Sequence, residues 1–252
     1  MKKDLLIFGD SYGEEELVAY PQGHPLYSEV MKLKSFHEII RESREFNSVT
    51  SYAKGGADLW SQYEIFLQKY TGKETVVWFV TQSRRLTVDN VSAPNLSSAE
   101  FLLWTYESGN MPYDAKTVSL IKSVIDFFTY LQNDKQEIFL HKKILEDIKL
   151  RVPNITFVNG FATDELPYNE ENALCKVFHN ENRLFLNTKD YTKYQDFIKK
   201  YYDLRRNHMT EENHMILAEQ LLNTILLGLE FDYSRFKIPD LSDFSKYFKL
   251  RN

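Results

Sequence analysis

The chain has 252 residues and a formal net charge of −5, since 36 acidic residues outnumber 31 Lys and Arg. The acidic balance gives no sign of the strongly basic face that is typical of nucleic-acid-binding proteins. The single cysteine, Cys175, excludes an internal disulfide, and no apolar run has the length of a membrane span.

The chain start has only a superficial likeness to a signal peptide. Two lysines precede an apolar run, but Asp4 and Asp10 bracket that run and leave it too short for the core of a signal peptide. No cleavage site of small residues follows. We therefore expect a soluble cytoplasmic protein whose length suits one large α/β domain.

Apolar patterns predict strands and helices that alternate along the chain. Strands are predicted where apolar and β-branched residues run together, and helices where apolar residues recur every three or four positions. The predicted strands are residues 5–8, 46–53, 75–81 and 155–158. The predicted helices are residues 28–43, 59–70, one or two helices within 114–150, residues 189–202 and a last helix that begins at 210–212. Such alternation predicts a mostly parallel sheet with helices on both faces.

Residues 86–113 and 159–187 have no sustained period and are predicted to be irregular. A loop as long as 86–113 is uncommon in a compact domain, and it tends to be a lid or a binding loop. Its aromatic residues, Trp104, Tyr106 and Tyr113, could stack on a sugar or cover the core. We expect one domain over residues 1–230, followed by an aromatic-rich tail over 231–252.

The most informative feature is Gly9-Asp10-Ser11, which directly follows the first predicted strand. Open α/β sheets bind ligands just beyond the carboxyl ends of their strands. A serine at that position can present its hydroxyl and its backbone N–H to one ligand atom, which suits a nucleophile. The same tripeptide is also ordinary turn chemistry, because glycine permits unusual φ and both Asp and Ser bond to nearby backbone.

Acyl transfer to a serine further requires a base and hydrogen-bond donors for the oxyanion. His208, just before the last predicted helix, is the candidate base. Gly56 follows the second strand and Gln82 the third, so a backbone N–H and a side-chain amide are the candidate donors. Gly56 could equally be a plain turn glycine, and Gln82 an ordinary loop residue.

Arg84 and Arg85 form a basic pair after the third strand. They are either a solvated pair or a site for a carboxylate or phosphate on the substrate. No metal is expected, because His208 and His214 are spaced too far apart to share a helical face as paired ligands do.

In these blocks the chain resembles the SGNH, or GDSL-like, hydrolases, a family with a flavodoxin-like fold. The matching segments are Ile7–Gly13, Ala53–Leu59 and Asn207–His214, in the order of the family and over nearly the whole chain. The resemblance implies a three-layer α/β/α fold with a mostly parallel central sheet. It also implies ester hydrolysis by a serine nucleophile without a cofactor.

Two blocks depart from the pattern of the family. Its third block usually reads Gly-x-Asn-Asp, whereas this chain has residues 80–83, Val-Thr-Gln-Ser, so Gln82 replaces the asparagine. The family also has an aspartate three residues before its catalytic histidine, where this chain has Arg205. Asp203 could orient His208 instead, or a Ser-His dyad could operate with a backbone carbonyl holding the ring.

The resemblance thus implies an acylesterase, with removal of an acetyl group from a glycan as one option. Ser11, His208 and Asp203 would be catalytic, and Asp10, Arg84 and the two donors would contact the oxyanion or substrate. The alternative is an inactive binding or structural module of the same fold, for instance in a phage or cell-surface assembly. The altered third block, Arg205 and the aromatic tail favour that alternative. The oligomeric state stays open.

Overall fold

A computed structural model describes residues 2–15, 34–81, 85–89, 91–93, 96–109, 113–160, 174, 209 and 211–237 of the chain. The described strands are β1 (Leu5–Gly9), β2 (Val49–Ser51), β3 (Thr75–Val80), β4 (Leu86–Val88), β5 (Val91–Ala93) and β6 (Thr156–Asn159). The described α-helices are α1 (Phe36–Ser43), α2 (Leu59–Lys69), α3 (Leu96–Glu107), α4 (Ala115–Asp126), α5 (Asp134–Arg151) and α6 (Glu211–Leu227).

Four parallel strands form the main sheet in the order β2-β1-β3-β6. In the register, Leu5 pairs with Val49 on one side and with Thr75 on the other, and Val77 pairs with Thr156. The chain therefore adds β2 on one side of β1, and then adds β3 and β6 on the other side. In doubly wound sheets such a reversal, here between β1 and β3, opens a crevice at the carboxyl ends of the strands.

Each face of the sheet is covered by helices. Alternate residues of β1 point to opposite faces, so that Leu5 and Ile7 belong to one core and Leu6 and Phe8 to the other. Helices α1 and α6 cover the first face, and α2 and α5 cover the second. The predicted α/β class with a mostly parallel sheet is confirmed, and the layering is compatible with a three-layer α/β/α fold.

Side-chain caps mark where several helices begin. Ser35 and Glu38 form a capping box at the start of α1, in which each accepts a hydrogen bond from the backbone of the other. Asp58, Asp114 and Asn133 cap α2, α4 and α5, each accepting from an amide in the first turn.

The prediction of an irregular loop over residues 86–113 was wrong. Strands β4 and β5 form an antiparallel hairpin, and α3 follows them. Together with α4 they enclose a small core of their own that includes Val91, Ala99 and Ile121. The sequence hides this unit because three-residue strands are too short to show a period, and α3 carries apolar residues on several sides.

The other elements agree with the sequence in kind and differ at their ends. The predicted strand over 46–53 shortens to β2, and residues 114–150 give two helices, α4 and α5, joined by a π-helical turn over Phe127–Leu131. The helix predicted over 189–202, and Cys175, lie outside the described residues. In the described part of the chain, no helix combines the length and the apolar character needed to cross a membrane.

Candidate active site

Gly9 ends β1 in a position that only glycine can occupy. Its φ is +121°, and a Cβ there would overlap the Phe79 carbonyl oxygen and lie 2.8 Å from Phe79 Cβ. The Gly9 N–H donates to Oε1 of the buried Gln62 at 3.0 Å, and its carbonyl accepts from the Lys54 amide at 3.1 Å. The first loop therefore begins tightly packed against β3, α2 and the loop that follows β2.

Ser11 lies at the outer part of a tight turn. The Tyr12 amide donates to Asp10 Oδ1 at 3.0 Å, and the Gly13 amide donates to the Asp10 carbonyl at 3.0 Å. Asp10 and Tyr12 are buried on either side, whereas Ser11 is half-buried. The turn thus anchors the neighbours of Ser11 and leaves Ser11 itself accessible.

The rest of this loop is bound to β2 and α1. The Gly13 carbonyl accepts two hydrogen bonds, from Ser51 Oγ at 2.7 Å and from His37 Nε2 at 2.9 Å. The second bond requires the proton of the imidazole on Nε2. Because burial lowers the pKa of His37 to about 4, the ring is neutral at pH 7 and acts as a fixed donor.

Asp10 is fully buried where the ends of three strands meet. Thr81 follows β3, and Gly160 follows β6. Gly160 lies close to Asp10, since a Cβ on Gly160 would be 3.3 Å from Asp10 Oδ2. Burial raises the pKa of Asp10 to about 7, although the Arg85 guanidinium and the Tyr12 amide oppose the shift. This carboxyl therefore changes its charge near neutral pH.

Gly56 lies in a turn beside the first loop. The turn is closed by the Ala57 amide, which donates to the Lys54 carbonyl at 3.0 Å, and Gly56 has a φ of +77°. The Gly56 carbonyl accepts from Thr87 Oγ1 at 3.0 Å. Asp58 Oδ1 accepts from the Ser61 amide at the start of α2, at 2.7 Å. Residues 54–58 are thereby held between β2, α2 and the β4–β5 hairpin.

Arg85 faces inward, toward acids of its own chain. It is half-buried, and the carboxylates of Asp10 and Asp58 both interact electrostatically with its guanidinium. Burial lowers the pKa of Arg85, and the two carboxylates oppose that shift. Arg84, the other member of the basic pair, lies outside the described residues.

The structure thus places only part of the predicted site. Ser11, Asp10 and Gly56 lie on two adjacent loops at the carboxyl edge of the sheet. Gln82, Arg84, Asp203 and His208 lie outside the described residues, and their roles stay predictions.

His214 is buried in α6, where its Nδ1 accepts from the Phe36 amide at 3.4 Å and its ring stacks on the Phe36 ring. Among the residues with described positions, no group of three His, Cys, Asp or Glu is arranged to hold a metal ion.

Sequence reasoning assigned no role to Gln62, His37 or Thr87, which fix the two loops. The sequence could have indicated the role of Gln62, since this residue falls on the inward face of the predicted helix 59–70. A polar side chain on that face needs a buried hydrogen-bond partner. Thr87 gave no such signal, because it lies in a region predicted to be irregular.

Comparisons with family models, with curated proteins and with solved structures found no match to this chain.

Proposed function

We propose that this protein is a serine ester hydrolase with an SGNH-like fold and that Ser11 is its nucleophile. The observation that carries the proposal is the position of Ser11, half-buried in a turn at the carboxyl end of β1. That turn borders the reversal between β1 and β3. The strand order of the main sheet matches the first four strands of flavodoxin-like sheets, whose ligands bind at this crevice.

In the proposed reaction, Ser11 Oγ attacks the acyl carbon of the ester and gives its proton to His208. The protonated His208 then gives that proton to the departing alcohol oxygen as the carbon–oxygen bond breaks. A water molecule, activated by the same histidine, hydrolyses the acyl-enzyme and regenerates Ser11. Asp203 or a backbone carbonyl orients the histidine ring.

The oxyanion would accept hydrogen bonds from the backbone N–H groups of Ser11 and Gly56 and from the Gln82 amide. Two loops fixed by buried hydrogen bonds suit this task, because oxyanion donors work best when they need no reorganisation during the reaction. Asp10 supports the site through the turn that it forms with Tyr12. An acetyl ester on a glycan is the substrate class that the resemblance favours.

Labelling with a fluorophosphonate probe, which reacts with activated serines, tests the proposal. The comparison needs the wild type, Ser11→Ala and His208→Ala, with Ser123→Ala as the control. Ser123 is an exposed helical serine whose hydroxyl donates to the Ser119 carbonyl at 3.0 Å, far along the chain from the site. Circular dichroism verifies that each variant is folded.

We expect the wild type and Ser123→Ala to be labelled, and Ser11→Ala and His208→Ala to lose the label. A screen of acetylated glycans would then identify the ester. If the folded wild type takes no label between pH 6 and pH 9, the hydrolase proposal fails. That result would favour the inactive binding or structural module.

A further inference from the structure

Thr87 of the β4–β5 hairpin contacts the Gly56 loop with both its side chain and its backbone. Its hydroxyl donates to the Gly56 carbonyl at 3.0 Å, and its backbone amide donates to Asp58 Oδ2 at 3.0 Å. Both bonds join segments far apart in the sequence. Thr87 therefore ties the loop that follows β2 to a hairpin outside the main sheet.

The hairpin has its own support, so it can act as a fixed reference for the loop. Val91 and Ala93 of β5 are buried in the small core with Ile121 of α4. An ion pair between Lys116 and Asp89 connects the hairpin turn to α4 at 2.6 Å. Thr87 thus belongs to a unit that has packing and an ion pair of its own.

A glycine at φ +77° has an unusually wide choice of backbone conformations. The bond from Thr87 fixes the direction of the Gly56 carbonyl, and the Ala57–Lys54 bond closes the turn around it. Without the Thr87 hydroxyl, the Gly56 carbonyl loses the side-chain contact that ties it to the hairpin, and the turn around Gly56 is held less firmly. A donor displaced by about 1 Å can cost roughly a hundredfold in rate.

We propose that Thr87 is a positioning residue, whose hydroxyl holds the Gly56 loop in the orientation that stabilises the oxyanion. This inference rests on the proposed ester hydrolysis. Arg85 acts in the same direction, because its guanidinium attracts Asp58 of this loop and Asp10 of the Ser11 loop. Electrostatic attraction to Arg85, directly before β4, therefore acts on both loops of the site.

The decisive variants are Thr87→Val and Thr87→Ser. Valine has nearly the shape of threonine and keeps the backbone amide that donates to Asp58, but it lacks the hydroxyl that donates to Gly56. Serine restores that hydroxyl. Thr105→Val is the matched control, because Thr105 is a half-buried residue of the same unit whose hydroxyl donates to the Leu102 carbonyl at 2.7 Å.

The readouts are the rate of fluorophosphonate labelling and the split between kcat and KM on an ester. We expect Thr87→Val to lower the labelling rate and kcat by roughly 10- to 100-fold with little change in KM, because the lost interaction acts on the transition state. Thr87→Ser should stay within about threefold of the wild type, and Thr105→Val should be unchanged. Labelling of Thr87→Val at the wild-type rate would overturn the proposal.

Hydrogen exchange separates this outcome from a failure of the proposed function. Amides of residues 54–58 should exchange faster in Thr87→Val than in the wild type, with no such change in Thr87→Ser. Unchanged exchange would overturn the positioning role whether or not the wild type is labelled. An unlabelled wild type with faster exchange in Thr87→Val would refute the hydrolase and the catalytic role of the contact, while the contact itself would stand.

Discussion

Replacing Gly9 with alanine tests whether the candidate loop begins where only glycine fits. A non-glycine residue at positive φ costs about 1–2 kcal/mol. The added methyl group would also meet the backbone of β3, at 2.9 Å from the Phe79 carbonyl carbon. Forcing a group into a packed site costs typically about 1–3 kcal/mol. We therefore expect Gly9→Ala to lower the free energy of unfolding by about 2–5 kcal/mol.

Gly72→Ala is the matched control. Gly72 also has a positive φ, +93°, but a Cβ there would meet nothing within 4 Å. This variant should lose only the conformational term, about 1–2 kcal/mol. Urea unfolding followed by tryptophan fluorescence measures both, since Trp78 of β3 is fully buried in the core on the sheet face that α2 and α5 cover. Equal losses in the two variants would refute the claim that close approach to β3 requires glycine.

Three further substitutions probe buried polar groups. His141 faces the core from α5 with no hydrogen-bond partner for either ring nitrogen within the described residues, so His141→Leu should raise the free energy of unfolding by about 1–3 kcal/mol at pH 7. Burial lowers the pKa of His141 to about 4; its contribution to stability is therefore lost as the pH falls below 6.5, and the advantage of the leucine variant should grow by about 2 kcal/mol at pH 5. Asp10 behaves oppositely, because a pKa raised to about 7 makes its contribution complete below pH 4 and lost as the pH rises through 7. Relative to the wild type, Asp10→Asn should therefore gain about 3 kcal/mol between pH 5 and pH 8 in urea titrations, and a pH-independent difference would contradict that assignment. Tyr233→Phe removes the hydroxyl that accepts from the Asn159 amide at 2.7 Å and should cost about 1 kcal/mol in thermal unfolding, whereas Tyr130→Phe, at a residue 78% exposed, should leave the melting temperature unchanged.

The sequence predicted the main sheet well because its strands carry their own signal. Residues 75–80 are apolar or β-branched throughout, which is typical of a strand buried on both faces, and they form β3. The apolar run that stops at Gly9 likewise predicted β1 and the turn with Ser11. These patterns are local, so they can be recognised without knowledge of the partner strands.

The hairpin and its contacts could not be predicted in the same way. Strands β4 and β5 are stable because α3 and α4 pack on them, and a three-residue strand has too few residues to display alternation. Its central contact, from Thr87 to Gly56, joins residues 31 positions apart. No pattern within a short window contains that information.

The sequence by itself determined the α/β class, the order of the main elements and the position of Ser11 after the first strand, because apolar period and turn residues act over a few positions. The tertiary structure decided the environment of the site. It buries Asp10 at the junction of three strands and brings Arg85 close enough to interact with two acids. It also places the Thr87 hydroxyl within hydrogen-bond distance of the Gly56 carbonyl. Burial and charge depend on which distant segments meet, and only the packed fold brings those segments together.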